Sequence, residues 1–185
     1  MAFSCVTRNV FSILPLLIVL SISPLSSSYT LDQKVTKEMV NQLCAKPAFY
    51  SHFCVSWLNS DPKTFTLTLQ GLIDMVYAKT ETYGNNNLEM IRGLERTTAD
   101  PKLKASYGSC VQQLEVSTRA ITQAKGFASK KAYSDASNSA FTALNGISTC
   151  EAQLKGSNVS VKVAVGNVMY DRMCNIDMNF SDLFS

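Results

Sequence analysis

The sequence predicts an all-α protein: an up-and-down four-helix bundle preceded by an N-terminal helical hairpin and closed by two disulfides. Three observations carry this. Apolar residues recur at helical spacing over nearly the whole chain, and nowhere alternate with polar residues for long. Turn signals come at wide intervals. Cys110 and Cys150 lie symmetrically about residue 130, inside Gly126-Phe127-Ala128-Ser129-Lys130-Lys131. Helices running up to that turn and back would set the two thiols level on antiparallel neighbours. Cys44 and Cys54, around Lys46-Pro47, would staple the shorter hairpin.

Residues 1–28 read as a secretory signal and 29–185 as a single domain. Arg8 supplies a positive start, Val10 to Ile22 an apolar run, and Ser26-Ser27-Ser28 the small-residue tract of a cleavage site. The apolar run falls short of the roughly 20 residues that span a bilayer. Cys5 leaves with the leader. The remaining five cysteines, in an oxidising compartment, are expected to form disulfides. Five thiols with one left free allow 15 pairings, as a matter of counting. Level positions on adjacent helices select Cys44–Cys54 and Cys110–Cys150, with Cys174 as the free thiol. Cys174 reads as a small buried hydrophobe; an intermolecular disulfide is the sharper alternative.

The first helix is expected over Asp32 to Cys44, where Leu31, Val35, Met39 and Leu43 recur every fourth residue. Pro47 would start a short helix carrying Phe49, Phe53, Trp57 and Leu58. Asp61-Pro62 reads as an N-cap and first turn. The stripe Phe65, Leu69, Leu72, Ile73, Val76 and Tyr77 then runs to Gly84, and Asn85 to Asn87 is expected to be a loop. A further helix with Leu88, Ile91 and Leu94 stops near Asp100-Pro101. Leu103, Tyr107, Cys110, Leu114, Ile121 and Ala124 form the face of the next, up to Gly126. Tyr133, Ala136, Ala140, Ala143, Leu144 and Ile147 return, Gly156 closes that helix, and Val161 to Ile176 trace the last. Small residues dominate the 133–147 stripe, so that helix can approach its neighbour closely.

Composition excludes several function classes. Loss of Arg8 with the leader leaves 16 basic and 14 acidic residues, a net charge of +2, with none of the Lys/Arg clustering that nucleic-acid binding needs. His52 is the only histidine and has no nucleophile or orienting group in a recognisable arrangement. Cysteine spacing suits no zinc site, and no Gly-rich phosphate loop is present. No catalytic residue, metal or cofactor is expected, and no enzyme. Two sequons, Asn158-Val-Ser160 and Asn179-Phe-Ser181, are glycosylation candidates. The second falls in a segment expected to be helical.

The Cys44-x9-Cys54 spacing, Asp61-Pro62-Lys63, Leu69-Gln70-Gly71-Leu72 and Asp100-Pro101-Lys102-Leu103-Lys104 together resemble the plant invertase/pectin methylesterase inhibitors. So do Tyr107-x2-Cys110, Gln123-Ala124-Lys125, Tyr133-Ser134-Asp135-Ala136 and Thr149-Cys150-Glu151. The likeness covers nearly all of residues 31 to 180. It implies a bundle preceded by a hairpin, with disulfides first-to-second and third-to-fourth, in agreement with the helix geometry. It also implies a secreted protein of the apoplast or cell wall, monomeric when free, with no membrane attachment after signal cleavage. Such a protein binds its target enzyme one-to-one and occludes the active cleft.

The invertase inhibitors of this family present Pro-Lys-Phe in the turn between the last two cysteines; here it reads Lys130-Lys131-Ala132-Tyr133. That favours pectin methylesterase as the partner, with acid invertase as the alternative. A free cysteine near position 174 also resembles the former branch. By position, the resemblance implies a target-binding face made of Gln112, Glu115, Val116, Ser117, Arg119 and Thr149. Gln112, Val116 and Arg119 stand where carboxylates are expected, while Glu115 belongs to a neighbouring helical face. Loss of charge complementarity alters on-rate and specificity more than it abolishes binding. A non-inhibitory carrier of small apolar ligands is a more distant alternative, and these stripes read as self-packing faces rather than a cavity lining.

Overall fold

Four long helices form a closed antiparallel ring behind a short helical hairpin. The computed structural model describes residues 29–45 and 50–185, and Leu31–Ser185 is one compact unit. The expected leader with Cys5, and the Lys46-Pro47 turn with Phe49, lie outside the described residues. Helices α1 (Lys37–Ala45) and α2 (Ser51–Ser60) make the hairpin. Helices α3 (Leu69–Thr97), α4 (Pro101–Ala128), α5 (Tyr133–Leu154) and α6 (Val161–Asp182) make the bundle, each packed on the next and α6 on α3.

Both bridges form as the helix geometry predicts. Cα atoms lie 5.6 Å apart in Cys44–Cys54 and 4.2 Å apart in Cys110–Cys150. Close approach of α4 and α5 depends on the small residues of α5. Ala136, Ala140 and Ala143 are fully buried, and a Cβ on Gly146 would come within 2.9 Å of the Gln113 carbonyl.

Capping explains where the long helices begin. Asp100 accepts from the N–H groups of Lys102 and Leu103, with Pro101 opening the helix. Ser160 accepts from Val163 N–H at the start of α6. The α4–α5 turn needs a left-handed residue, supplied by Lys131 at φ 61°, and Gly156 does the same beyond α5 at φ 78°.

Three expectations need correction. The first helix begins at Lys37 rather than Asp32, because residues 31–33 turn and Lys34 pairs with Thr68 in a single antiparallel bridge. Val35 N–H donates to Leu67, Leu69 N–H to Gln33 and Gln70 N–H to Leu31. Asp61-Pro62 does not open a long helix. Asp61 accepts from Lys63 N–H and pairs with Lys79, a single 3₁₀ turn follows at Thr64–Thr66, and α3 begins later under a Thr68 cap.

The third correction matters most for the bundle: Gly84 and Asn85–Asn87 do not break the chain, and α3 runs unbroken for 29 residues. Gly84 is there for packing, since a Cβ would sit 2.4 Å from the Tyr170 ring. Asn87 is buried and donates through Nδ2 to Asn167 Oδ1 at 2.8 Å, and Asn167 Nδ2 reaches Cys150 Sγ at 3.3 Å. These polar side chains cross-link α3 to α6 and α6 to the disulfide, where composition alone suggested a loop.

The core carries further polar groups. Tyr77 Oη donates to the Asp177 carbonyl at 3.1 Å and lies 2.7 Å from Ser181 Oγ. Asp177 is fully buried, and neither carboxyl oxygen has a hydrogen-bond partner. Burial pushes that carboxyl well above the usual carboxylate range.

Candidate functional site

The outer face of α4 is built by the geometry that fixes the core. Tyr107, Cys110, Leu114, Ile121 and Ala124 turn inward, so the residues at about 100° steps between them turn out. Gln112, Val116 and Arg119, at i, i+4 and i+7, are all exposed on one stripe, Val116 by 40%. The Cys110–Cys150 bridge brings exposed Thr149 of α5 beside the start of that stripe. The Thr149 hydroxyl donates to the Asn145 carbonyl of its own helix at 2.8 Å, leaving its oxygen free to accept.

Two members of the expected set lie elsewhere. Ser117 is fully buried, its hydroxyl 2.9 Å from the Ala143 carbonyl and 3.3 Å from the Tyr170 hydroxyl. It joins α4 to α5 and α6 and offers nothing to a partner, which corrects its assignment to the binding face. It points inward because 117 follows 110, 114 and 121 in the 3.6-residue period of the core stripe. Glu115 is half-buried at the α3 edge and takes an ion pair from Arg92 at 2.6 Å, while Arg92 also pairs with Glu89. Its charge is committed within the molecule.

Sequence reasoning missed the residues that frame this face. Glu81 of α3 accepts from Thr122 at 2.7 Å and pairs with Lys125 at 2.6 Å; the Lys125 ammonium holds its carboxyl below the usual range. Together with Arg92–Glu115 it ties the α3 side of α4. On α5, Phe141 is 55% exposed. At about 100° per residue it stands on the flank of α5 that Ser137 turns toward α6, away from the α4 stripe. An isolated phenylalanine at that spacing gave no sign that it would face water.

A second cluster fastens the hairpin to the bundle. The Arg172 guanidinium lies 5.6 Å from the ring centroids of both Tyr50 and Phe53, and Tyr50 Oη donates to Asp171 at 3.2 Å. Burial raises the Asp171 carboxyl, and raises Glu151 with a further contribution from the Asp171 charge.

Among the described residues, no group of three or more His, Cys, Asp or Glu side chains could hold a metal ion. His52 is exposed on α2. No described helix is long and apolar enough to cross a membrane. Cys174 is free but fully buried, and burial pushes its thiol up, so the intermolecular disulfide is overturned for this conformation. Asn158 is exposed in the loop before α6. Asn179 is half-buried on α6, its amide donating to the Asn175 carbonyl at 2.7 Å.

A family model described as plant invertase/pectin methylesterase inhibitor matches residues 38–183. The chain is 28% identical over 184 residues to a pectinesterase inhibitor of Actinidia deliciosa, covering 99% of this chain and 97% of that protein. It is 25% identical over 144 residues to pectinesterase inhibitor 2 of Arabidopsis thaliana, covering 78% and 83%. A crystal structure of a pectin methylesterase inhibitor from Arabidopsis thaliana shares the fold with a TM-score of 0.62 at 21% identity, over 82% of this chain and 99% of that one. A mutant form of an Arabidopsis inhibitor gives 0.69 at 21% identity, over 77% and 95%.

Proposed function

We propose, since this chain belongs to the plant invertase/pectin methylesterase inhibitor family, that it is a secreted inhibitor of pectin methylesterase that binds the enzyme one-to-one and occludes its active cleft. The observation that carries this is the near full-length match to a protein named pectinesterase inhibitor. It is joined by a face with no catalytic constellation but a rigid, exposed stripe. Occlusion requires no chemistry from the inhibitor. It requires a backbone already held in place, so that only side-chain freedom is lost on docking. The α4 stripe meets that need, backed by a disulfide at one end and ion pairs along one edge.

Gln112, Val116, Arg119 and Thr149 form the proposed contact set. With Glu115 drawn to the α3 edge by Arg92, which Glu89 shares, the stripe itself carries the apolar Val116 and the Arg119 cation and no carboxylate, which would set selectivity among pectin methylesterases through charge.

The test is methanol release by a plant pectin methylesterase mixed with the purified mature chain at mildly acidic pH, with sucrose hydrolysis by an acid invertase in parallel. Inhibition of methanol release alone is expected. Val116→Asp should weaken it by about tenfold or more, as for a central interface residue, while His52→Ala should leave it unchanged. No inhibition at micromolar excess, or inhibition of the invertase alone, would overturn the assignment.

A further inference from the structure

The N-terminal half of α6 carries an apolar face that nothing in the fold covers. Val161, Val165 and Val168 are 79%, 53% and 41% exposed. They recur at i, i+4 and i+7, a stripe about 10 Å long at 1.5 Å rise per residue. A run of exposed apolar side chains on one helix face is a surface that another group can cover. Three residues before Val161 stands Asn158, exposed in the loop that leads into α6 and outside any helix. Its side chain makes no hydrogen bond within the described residues. Ser160, the sequon hydroxyl, is exposed too and caps α6 through Val163 N–H. The other sequon differs at both positions: the Asn179 amide is spent on the Asn175 carbonyl within a helix, and Ser181 is fully buried against Tyr77.

We propose that Asn158 is the one N-glycosylated residue of this chain, and that its glycan lies over Val161, Val165 and Val168. This rests on the secretory reading above, because the donor is a lipid-linked oligosaccharide diphosphate of the secretory pathway. In the transfer, the Asn158 amide nitrogen attacks C1 of the first sugar. The new C–N bond replaces the C1–O bond to the diphosphate, which leaves with its electron pair, and the amide nitrogen gives up one proton. No oxidant or metal ligand from this chain takes part. A sugar ring presents C–H groups on its faces and hydroxyls at its edge, so it can cover valines while keeping its polar groups in water. Asn179 is withdrawn as its helix forms, since it becomes half-buried on α6 and its sequon hydroxyl, Ser181, enters the core.

The full chain is expressed in a plant secretory host, alongside residues 29–185 behind an unrelated secretion signal. An amide-cleaving glycosidase in heavy-oxygen water then converts each glycosylated Asn to a labelled Asp, read by peptide mass spectrometry. Label at 158 and none at 179 is the expected result in both products. No label at 158 in the product with the unrelated signal, or label at 179, overturns the site assignment. Label at 158 in that product but not in the full chain sinks only the secretory reading. For the covering role, an apolar-surface dye is bound to the glycosylated chain and to Asn158→Gln, which spares the Ser160 cap. Dye fluorescence should rise about twofold without the glycan and fall back on adding Val165→Ser. Equal dye binding with and without the glycan, or dimerisation of the glycosylated chain through this stripe, overturns the covering role.

Discussion

Asp177 should make the stability of this protein fall as pH rises above about 3.9, because burial favours the protonated carboxyl in the native state. Its carboxyl is fully buried and unpartnered. The groups around it provide no cation: Tyr77 and Thr80 from α3, and Tyr170, Cys174 and Ser181 from α6. Thr80 donates its hydroxyl to the Val76 carbonyl. The native state therefore keeps Asp177 protonated well above the unfolded value of about 3.9. Between the unfolded and the folded value, the native chain holds a proton that the unfolded chain has released. Stability from this group is complete below about pH 3.9 and declines by about 1.4 kcal/mol per pH unit until the folded value is passed. For a domain of this size that corresponds to about 3–6 °C in Tm per pH unit.

Asp171 and Glu151, also raised, act in the same direction. Asp61 and Glu81, held down by Lys79 and Lys125, act oppositely, losing stability as pH falls through their folded values. The substitution Asp177→Asn isolates the effect, because it keeps the side-chain shape and removes the titration. Guanidinium unfolding of both chains, followed by helical circular dichroism across pH 4 to 7, gives the difference directly. The variant should gain on the parent as pH rises. A difference that stays constant over this range would show that Asp177 does not hold its proton in the folded state.

Two glycines on helices should respond oppositely to the same change. Gly84→Ala drives a Cβ into the Tyr170 ring and should cost about 1–3 kcal/mol, whereas Gly126→Ala meets open space and should stabilise by about 0.5–1 kcal/mol; thermal unfolding of both decides, and equal signs would contradict the packing described. Paired Cys→Ala replacement of Cys110 and Cys150 should cost about 1.2 kcal/mol more than replacement of Cys44 and Cys54, given spans of 40 and 10 residues; equal losses in denaturant would argue against the loop-closure account. Arg172→Ala should speed amide exchange in α1 and α2 by about tenfold, from about 1–2 kcal/mol of lost stacking, and leave α4 and α5 protected. Exchange unchanged in the hairpin would mean that other contacts hold it.

Periodicity and spacing sufficed for the helices whose apolar stripe runs without interruption. The return from Leu103 to Ile147 about residue 130 was readable because Cys110, Cys150 and the alanine stripe of α5 all demand one register. The face of α4 was readable only in part. Gln112, Val116 and Arg119 fall outside because the core stripe leaves them there, yet Ser117 looked equally polar and lies in the core. Its hydroxyl finds the Ala143 carbonyl on another helix, a partner that local sequence cannot show. Asn87 and Gly84 misled for the same reason: they are loop-formers by propensity, and here Asn167 and Tyr170, about 80 residues away in the chain, give each of them a place in a helix.

The sequence by itself determined an all-α bundle, both disulfides, the free Cys174 and the family, since these follow from local periodicity, cysteine spacing and motif order. Only the tertiary structure decided that α3 is a single helix, that Glu115 is spent on Arg92, that Ser117 and Asp177 are interior, and that the valines of α6 stand bare. Each of these depends on which side chain meets which across helices. Burial and pairing energies between residues distant in the chain settle them, and local propensity, at about 1 kcal/mol or less per residue, is too small to prevail.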